Sequence, residues 1–229
     1  MEVKYIHESI IEAAAFKLLG EYGLKFGEVT QPPIPVEEII DSHLKLDYGF
    51  DDLPLSLEIP DVLGATWVQL KKIRIDQSLD PTEYPAKIGR YRFTVAHELG
   101  HWQLHKGQIL ENSSSFFEME QKPAIVCRKV SAKKPIEKQA DKFAGFLLMP
   151  KQMVQNKWKE IRGSLEPYVA ADEISDLSER WGLAEDNQPT VQLAKQLAKI
   201  FNVSGQAMQI RLINLKLILT QKPEKGLFP

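Results

Sequence analysis

The sequence has little cysteine, no long apolar run and almost no net charge. Among its 229 residues there is one cysteine, Cys127, which excludes an internal disulfide framework and is typical of a reducing compartment. No apolar run reaches the roughly 20 residues of a membrane-spanning helix, and residues 1–5 lack the pattern of a signal peptide. The formal net charge of −2 gives no overall attraction to nucleic acid or to an anionic membrane. We therefore expect a soluble, cytoplasmic protein without a membrane partner.

The chain is long enough to fold around more than one core. Hydrophobic residues make up 43% of it, which is enough for one substantial core and a smaller second one. Alternating or continuous apolar patterns predict early strands at 44–48, 63–70 and 72–76. Helical periodicity predicts helices at 9–22, 36–42, 85–105 and 135–149, and four more at 151–162, 170–181, 190–201 and 204–219.

Strands that come early and helices that come late are typical of an α+β fold. We expect two domains: residues 1–150, which contain the strands, and an all-helical C-terminal part over residues 151–229. Residues 106–134 are polar, and we predict an irregular segment there with a mobile tip at 112–115.

The residues His97, Glu98 and His101 form an H-E-x-x-H motif inside the segment RFTVAHELGHWQLH, residues 92–105. Residues four apart lie on one face of a helix, so the two imidazoles can bind one metal ion, typically zinc at ~2.0–2.1 Å. Glu98 is rotated by about 100° from His97, which makes it a poor ligand but suits it to take a proton from water at the metal. Two histidine ligands with a glutamate base directly after the first are typical of metalloproteases.

The surroundings of the motif indicate a half-buried helix. Apolar or small residues recur at helical spacing; they are Phe93, Ala96, Leu99, Gly100 and Leu104. Gly100 costs roughly 1 kcal/mol of helix stability against alanine, so we expect another element to pack closely there. The alternative is a chance motif, in which the buried histidines would need hydrogen-bond partners other than a metal.

A catalytic zinc site needs a third protein ligand, and the sequence offers two candidates. His105 lies ~12 Å from His97 along a continuous helix, and is therefore better suited to packing or to supporting a ligand. Glu137 is the better candidate, because its predicted helix carries Ala140 and Ala144, which are small enough to let it approach the motif helix.

Asp141 lies four residues after Glu137 and shares its helix face. From there it could hold one ligand histidine through the free ring N–H. The alternative is an ordinary solvated pair of acidic residues, which would be slightly repulsive.

Two segments together resemble the ImmA/IrrE family of metallopeptidases: RFTVAHELGHWQLH at 92–105 and the pattern E-x-x-A-D-x-F-A-x-x-L-L-M-P at 137–150. With the predicted strands, the likeness extends over residues 34–150. It implies a compact, gluzincin-like (zincin-like) domain with an active-site helix, a ligand helix and a small β-sheet.

The same resemblance implies how the site works. Zn²⁺ would be bound by His97, His101 and Glu137, with Glu98 as the catalytic base. Family members of known role cleave helix-turn-helix repressors, which implies a protein substrate, such as a DNA-binding repressor.

The C-terminal helices carry a helix-turn-helix pattern over residues 197–212. Ala198 suits close packing of two helices, and Asn202 can adopt a left-handed turn. Ser204 is a good cap for the second helix.

The charge of this region is uneven. Residues 189–222 contain five lysines and arginines and no acidic residue, a local charge of +5. The second helix offers only Arg211 and Lys216 as charges, which is few for contacts to phosphates. We therefore favour a protein-binding or structural role over nucleic-acid binding.

Three functions remain for the chain as a whole. The first is a zinc-dependent endopeptidase that cleaves a specific cytoplasmic regulatory protein. The others are a transcriptional regulator on a non-catalytic zinc fold and a zinc-stabilised protein-binding module. Metal binding alone needs only His97, His101 and a third ligand, so the presence of Glu98 favours the enzyme.

Overall fold

The computed structural model describes residues 4–111, 123, 125–128, 134–181 and 188–222. The chain divides into two compact units, Met1–Pro150 and Lys151–Pro229. None of the helices in these described ranges has the length and apolar character needed to cross a membrane.

The first unit combines helices with a small sheet, as the predicted α+β class requires. Its helices are α1 (Glu8–Phe26), α2 (Val36–Glu38), which continues as a π-helical turn over Ile39–His43, α3 (Leu53–Leu57), α4 (Ile88–Glu111) and α5 (Pro135–Leu148). Its strands are β1 (Asp47–Asp51), β2 (Val62–Trp67), β3 (Lys72–Asp76) and β4 (Ile125–Arg128). Short 3₁₀ turns at Gln77–Leu79 and Pro85–Lys87 precede α4.

The sheet has the order β1-β3-β2-β4, with β1 parallel to β3 and β2 antiparallel to both of its neighbours. All six residues of β2 are buried because the strand is covered on both faces. Val62, Ala65 and Trp67 pack with Leu53 of α3 on one face. On the other face β2 lies against α4, so the motif helix rests directly on the sheet.

Helix α4 also packs along α5, which in turn packs against α1. A proline at its start defines the beginning of α5, as the sequence predicts. The predicted end of α4 at His105 is wrong, because the helix continues to Glu111 and buries Ile109 in its last turns.

Two predictions concern the segment between α4 and α5. The segment 106–134 is not irregular throughout, because it contains the end of α4 and strand β4, which is held by its ladder with β2. The predicted mobile tip at 112–115 lies outside the described residues.

The second unit contains α6 (Lys151–Arg162), α7 (Ala171–Trp181), α8 (Gln192–Phe201) and α9 (Gly205–Asn214). It adds to the expected helices a parallel pair of two-residue strands, β5 (Tyr168–Val169) and β6 (Ile218–Leu219). Asn202 has the predicted left-handed conformation, with φ of 51°, and the Ser204 side chain accepts a hydrogen bond from the Ala207 amide. The predicted left-handed turn at Asn202 and the predicted cap at Ser204 are therefore confirmed, and a helix-turn-helix function for α8 and α9 remains a prediction.

Candidate metal centre and active site

Helix α4 brings His97 and His101 to one face, one turn apart. Both rings are almost fully buried, and their Nε2 atoms lie 3.0 Å apart. Glu137 reaches them from α5: its Oε2 lies 3.2 Å from His97 Nε2 and its Oε1 lies 3.4 Å from His101 Nε2. The three residues predicted as metal ligands thus form one compact triangle of potential ligand atoms between the two helices.

The two helices approach this closely because Gly100 has no side chain. A Cβ atom at Gly100 would lie 3.2 Å from the Cα and carbonyl oxygen of Ala140, and 3.2 Å from Cβ of Phe143. The close packing predicted at Gly100 is confirmed. Small residues on both helices therefore set the separation across which Glu137 reaches the histidines.

The dimensions of the triangle fit a zinc ion. Ligand atoms ~2.0–2.1 Å from a tetrahedral zinc lie ~3.3 Å from one another, and the observed separations are 3.0, 3.2 and 3.4 Å. Two imidazole nitrogens this close need a proton or a metal cation between them, because two lone pairs repel. Two imidazoles and a carboxylate are also a known donor set of catalytic zinc sites.

Asp141 holds the outer nitrogen of His97. Its Oδ1 lies 3.0 Å from His97 Nδ1, so the ring N–H donates to the carboxylate and Nε2 is left for the triangle. Burial lowers the pKa of His97, but hydrogen bonds to Asp141, Cys127 and Glu137 outweigh it and raise that pKa well above its ordinary value. Burial likewise opposes ionisation of Glu137, but hydrogen bonds with His101 and His97 hold its pKa well below the usual range.

His105 contacts the outer nitrogen of His101 and lies outside the triangle. Its Nδ1 is 3.1 Å from His101 Nδ1, and its Nε2 is 2.9 Å from Gln139 Oε1. Both nitrogens are thus occupied, which fits a supporting residue and disfavours the alternative of His105 as third ligand. Burial lowers the pKa of His101 to about 4 and also lowers the pKa of His105, so both rings are neutral at pH 7.

Glu98 lies against the sheet. Thr66 on β2 donates a hydrogen bond of 2.7 Å to its Oε2. A Cβ atom at Gly64 would lie 2.5 Å from Oε1, so this glycine leaves the space that the carboxylate fills. The side chain is fully buried, and no donor in the described part of the chain reaches Oε1. Burial raises the pKa of Glu98 to about 7, a value that suits a base at neutral pH.

Sequence reasoning missed Thr66, Gly64 and Gln139. Only the glycine carried a signal, because glycine inside a buried strand often marks a site where another group approaches closely. The other two contacts depend on how β2 and α5 are set against α4, which no local pattern encodes.

The family model described as the IrrE N-terminal-like domain (Peptidase_M78) matches residues 55–212, more than half of the chain. The chain belongs to this family. The match confirms the resemblance seen in the two motif segments and indicates a metallopeptidase fold, which implies a bound metal. It also extends beyond the first unit into α6 to α9.

Two other comparisons add little to this assignment. No curated protein matches the chain. Among solved structures, a transcriptional regulator of Mycobacterium tuberculosis is similar at 17% identity with a TM-score of 0.47. The alignment covers 96% of this chain but only 58% of that protein, and a likeness at this level says nothing about function.

Cys127 of this IrrE-like domain lies beside the candidate metal centre, although the sequence gave no sign of a role there. It stands on β4 opposite Gly64 of β2. Its Sγ and the ligand atoms of His97 and Glu137 all lie within 4.8 Å of one another. Burial raises the pKa of the thiol, and its hydrogen bond with His97 opposes that shift. A fourth donor, a soft one, is therefore near the triangle.

In the C-terminal helices, residues that could have contacted nucleic acid are turned inward. Arg211 and Gln209 of α9 are both about 5% exposed. The Gln209 side chain accepts from the Val191 amide and donates to the Pro189 carbonyl. Of the two charged residues predicted for the second helix, only Lys216 is exposed, which leaves few groups for contacts with phosphates.

Proposed function

We propose that this chain is a zinc-dependent endopeptidase that cleaves a cytoplasmic regulatory protein, such as a helix-turn-helix repressor. The observation that supports it best is the division of roles around α4. His97, His101 and Glu137 gather at zinc-ligand separations on one side, and Glu98 is buried beside them with a pKa raised to about 7. The substrate class rests on the family resemblance alone.

A zinc ion held by His97, His101 and Glu137 would polarise the scissile carbonyl and acidify the attacking water. Glu98 accepts the proton of that water and then gives it to the leaving amine. Thr66 holds Oε2, so Oε1 is the oxygen available for the proton. Asp141 and His105 hold the outer nitrogens of the two histidines, which fixes the direction of each ring.

The test is a search for new protein N-termini in cells that express the wild type or Glu98→Gln. A discrete new N-terminus, found by mass spectrometry with the wild type and missing with Glu98→Gln, is the expected result. Glu111→Gln is a matched control, because it makes the same change at an exposed position on the same helix. Identical N-termini with the wild type and Glu98→Gln would refute the peptidase.

The nearby Cys127 favours a second candidate, a non-catalytic zinc centre in a regulator. Structural zinc sites have four protein ligands and no open position, whereas catalytic sites have three. Cobalt substitution separates the two: a thiolate charge-transfer band that is lost in Cys127→Ser indicates the closed site. The peptidase predicts no such band and the same metal affinity in Cys127→Ser.

For residues 189–222 we propose a role in binding protein and not nucleic acid. Arg211 and Gln209 of α9 are buried, so this basic segment has few groups left that could contact phosphates. This proposal for the C-terminal helices is independent of the zinc chemistry.

A further inference from the structure

A buried chain of hydrogen bonds leads from the N-terminal segment to the metal centre. The Gln139 side chain on α5 donates from Nε2 to the Lys4 carbonyl at 3.1 Å, and its Oε1 lies 2.9 Å from His105 Nε2. His105 Nδ1 then lies 3.1 Å from His101 Nδ1. Gln139, His105 and His101 are all buried, so water does not compete for these contacts.

The direction of these hydrogen bonds is fixed at the Lys4 end. A backbone carbonyl can only accept, so the amide nitrogen of Gln139 must face Lys4 and its oxygen must face His105. An amide oxygen can only accept, and His105 therefore carries its proton on Nε2. A neutral imidazole has a single N–H, so Nδ1 of His105 accepts from Nδ1–H of His101.

We propose that Gln139 is a positioning residue that, through His105, fixes His101 in the ring tautomer whose Nε2 is free to bind a metal. This inference rests on the zinc centre proposed above. The opposite tautomer would put a proton on Nε2, the atom that lies 3.0 Å from His97 Nε2 and 3.4 Å from Glu137 Oε1. Zinc would then have to displace that proton before it could bind.

The two ligand histidines are held by different groups for an electrostatic reason. His97 is held by the carboxylate of Asp141, whose side chain is 23% exposed. His101 is fully buried, and Glu98 and Glu137 are already close to the histidine pair. A further carboxylate behind His101 would add a buried charge, which is costly without a partner of its own. A neutral amide and a neutral imidazole fix the same N–H without that charge.

The experiment reads the ring tautomer directly, by long-range ¹H–¹⁵N NMR of the histidine side chains in the full chain. In the zinc-free wild type, we expect His101 to carry its proton on Nδ1, so that its Nε2 carries none and accepts the proton that lies between it and His97 Nε2. His7 and His43 are internal references, because neither contacts the centre. A wild-type spectrum with the proton on Nε2 of His101 would overturn the proposal without any variant.

Three variants extend this test to zinc affinity, measured by competition with a chromophoric chelator. Gln139→Leu removes the acceptor, and we expect a mixture of His101 tautomers. We also expect a roughly 10–100-fold weaker zinc affinity, which is typical when a residue that supports a metal ligand by hydrogen bonds is lost. Gln139→Met keeps the approximate length of the side chain but removes the amide oxygen, and we expect it to lose the wild-type tautomer as Gln139→Leu does. Gln152→Leu is the matched control at an exposed position of α6 and should change neither quantity.

The outcomes are separable. A wild-type tautomer and affinity in Gln139→Met would mean that Gln139 acts by packing, which contradicts the proposal. An unchanged tautomer and affinity in Gln139→Leu would contradict it as well. If no form of the chain binds zinc, the proposed function fails, while the tautomer in the zinc-free chain still decides whether the hydrogen-bond chain works as described.

Discussion

The two sides of helix α4 are supported in different ways. Toward α5, His97 and His101 are held by packing at Gly100 and by hydrogen bonds to both of their ring nitrogens. Toward the sheet, Glu98 is held by one hydroxyl, that of Thr66, and by the space that Gly64 leaves open. The difference suggests that metal assembly and proton transfer depend on separate contacts, so that substitutions should damage one without the other.

The largest effect is expected on the α5 side, from Glu137→Ala. This change removes one of three proposed ligands and leaves two buried imidazoles without their carboxylate. Loss of a residue that only supports a ligand by a hydrogen bond costs up to ~100-fold in metal affinity. We expect Glu137→Ala to lower zinc affinity by more than this, and activity to fall with it. Metal analysis of the purified protein measures this.

His97→Ala is the positive control for metal loss, because it removes a ligand of the motif itself. If Glu137→Ala instead kept one zinc per chain at unchanged affinity, the third ligand would have to be another residue. Cys127 would be the first to test, since its Sγ is already near His97.

A smaller effect, on activity alone, is expected on the sheet side from Gly64→Ala. The new Cβ would lie 2.5 Å from Glu98 Oε1 and 2.9 Å from its Cδ, so the carboxylate must move. A misplacement of about 1 Å at a reacting group can cost about 10²-fold in rate. Zinc content should stay at the wild-type level, because no ligand is touched.

Gly49→Ala on β1 is the matched control for this change. A Cβ there would meet only the Arg74 side chain, at 3.9 Å, which is ordinary contact. Loss of zinc in Gly64→Ala, or equal activity in the two variants, would show that the two sides of α4 are not independent.

The smallest effect, on stability, is expected from Gly100→Ala. Its Cβ would press on the backbone of α5 at 3.2 Å, and such overpacking typically costs about 1–3 kcal/mol. Urea unfolding of the zinc-free chain measures it. Gly107→Ala on the same helix has nothing within 4 Å and should stabilise the chain by about 0.5–1 kcal/mol. Equal shifts in the two variants would contradict the close contact.

The sequence predicted the parts of the site that depend on periodicity within one helix. The H-E-x-x-H spacing, the face of α5 that carries Glu137 and Asp141, and the close contact at Gly100 all follow from residues a turn apart. Roles for these residues in binding metal remain predictions. The left-handed turn at Asn202 and the cap at Ser204 were predictable for the same reason, since caps and left-handed turns are local.

The rest depends on contacts between elements that are distant in the chain. Thr66 and Gly64 meet Glu98 only because β2 lies across α4, and Cys127 comes near His97 only through the pairing of β4 with β2. The end of α4 was missed because the polar character of residues 106–134 favours an irregular segment, whereas burial of Ile109 sustains the helix. Packing overrides local propensity in such cases.

The central claim is tested most directly by measuring zinc content and substrate turnover together in Glu98→Gln. The amide is nearly the same size as the carboxylate and is not a proposed ligand, so we expect one zinc per chain, as in the wild type. Loss of the proton acceptor should lower turnover by about 10²–10⁴-fold. A Glu98→Gln protein that holds zinc and works as well as the wild type would contradict the account, because the metal centre would then act by binding alone.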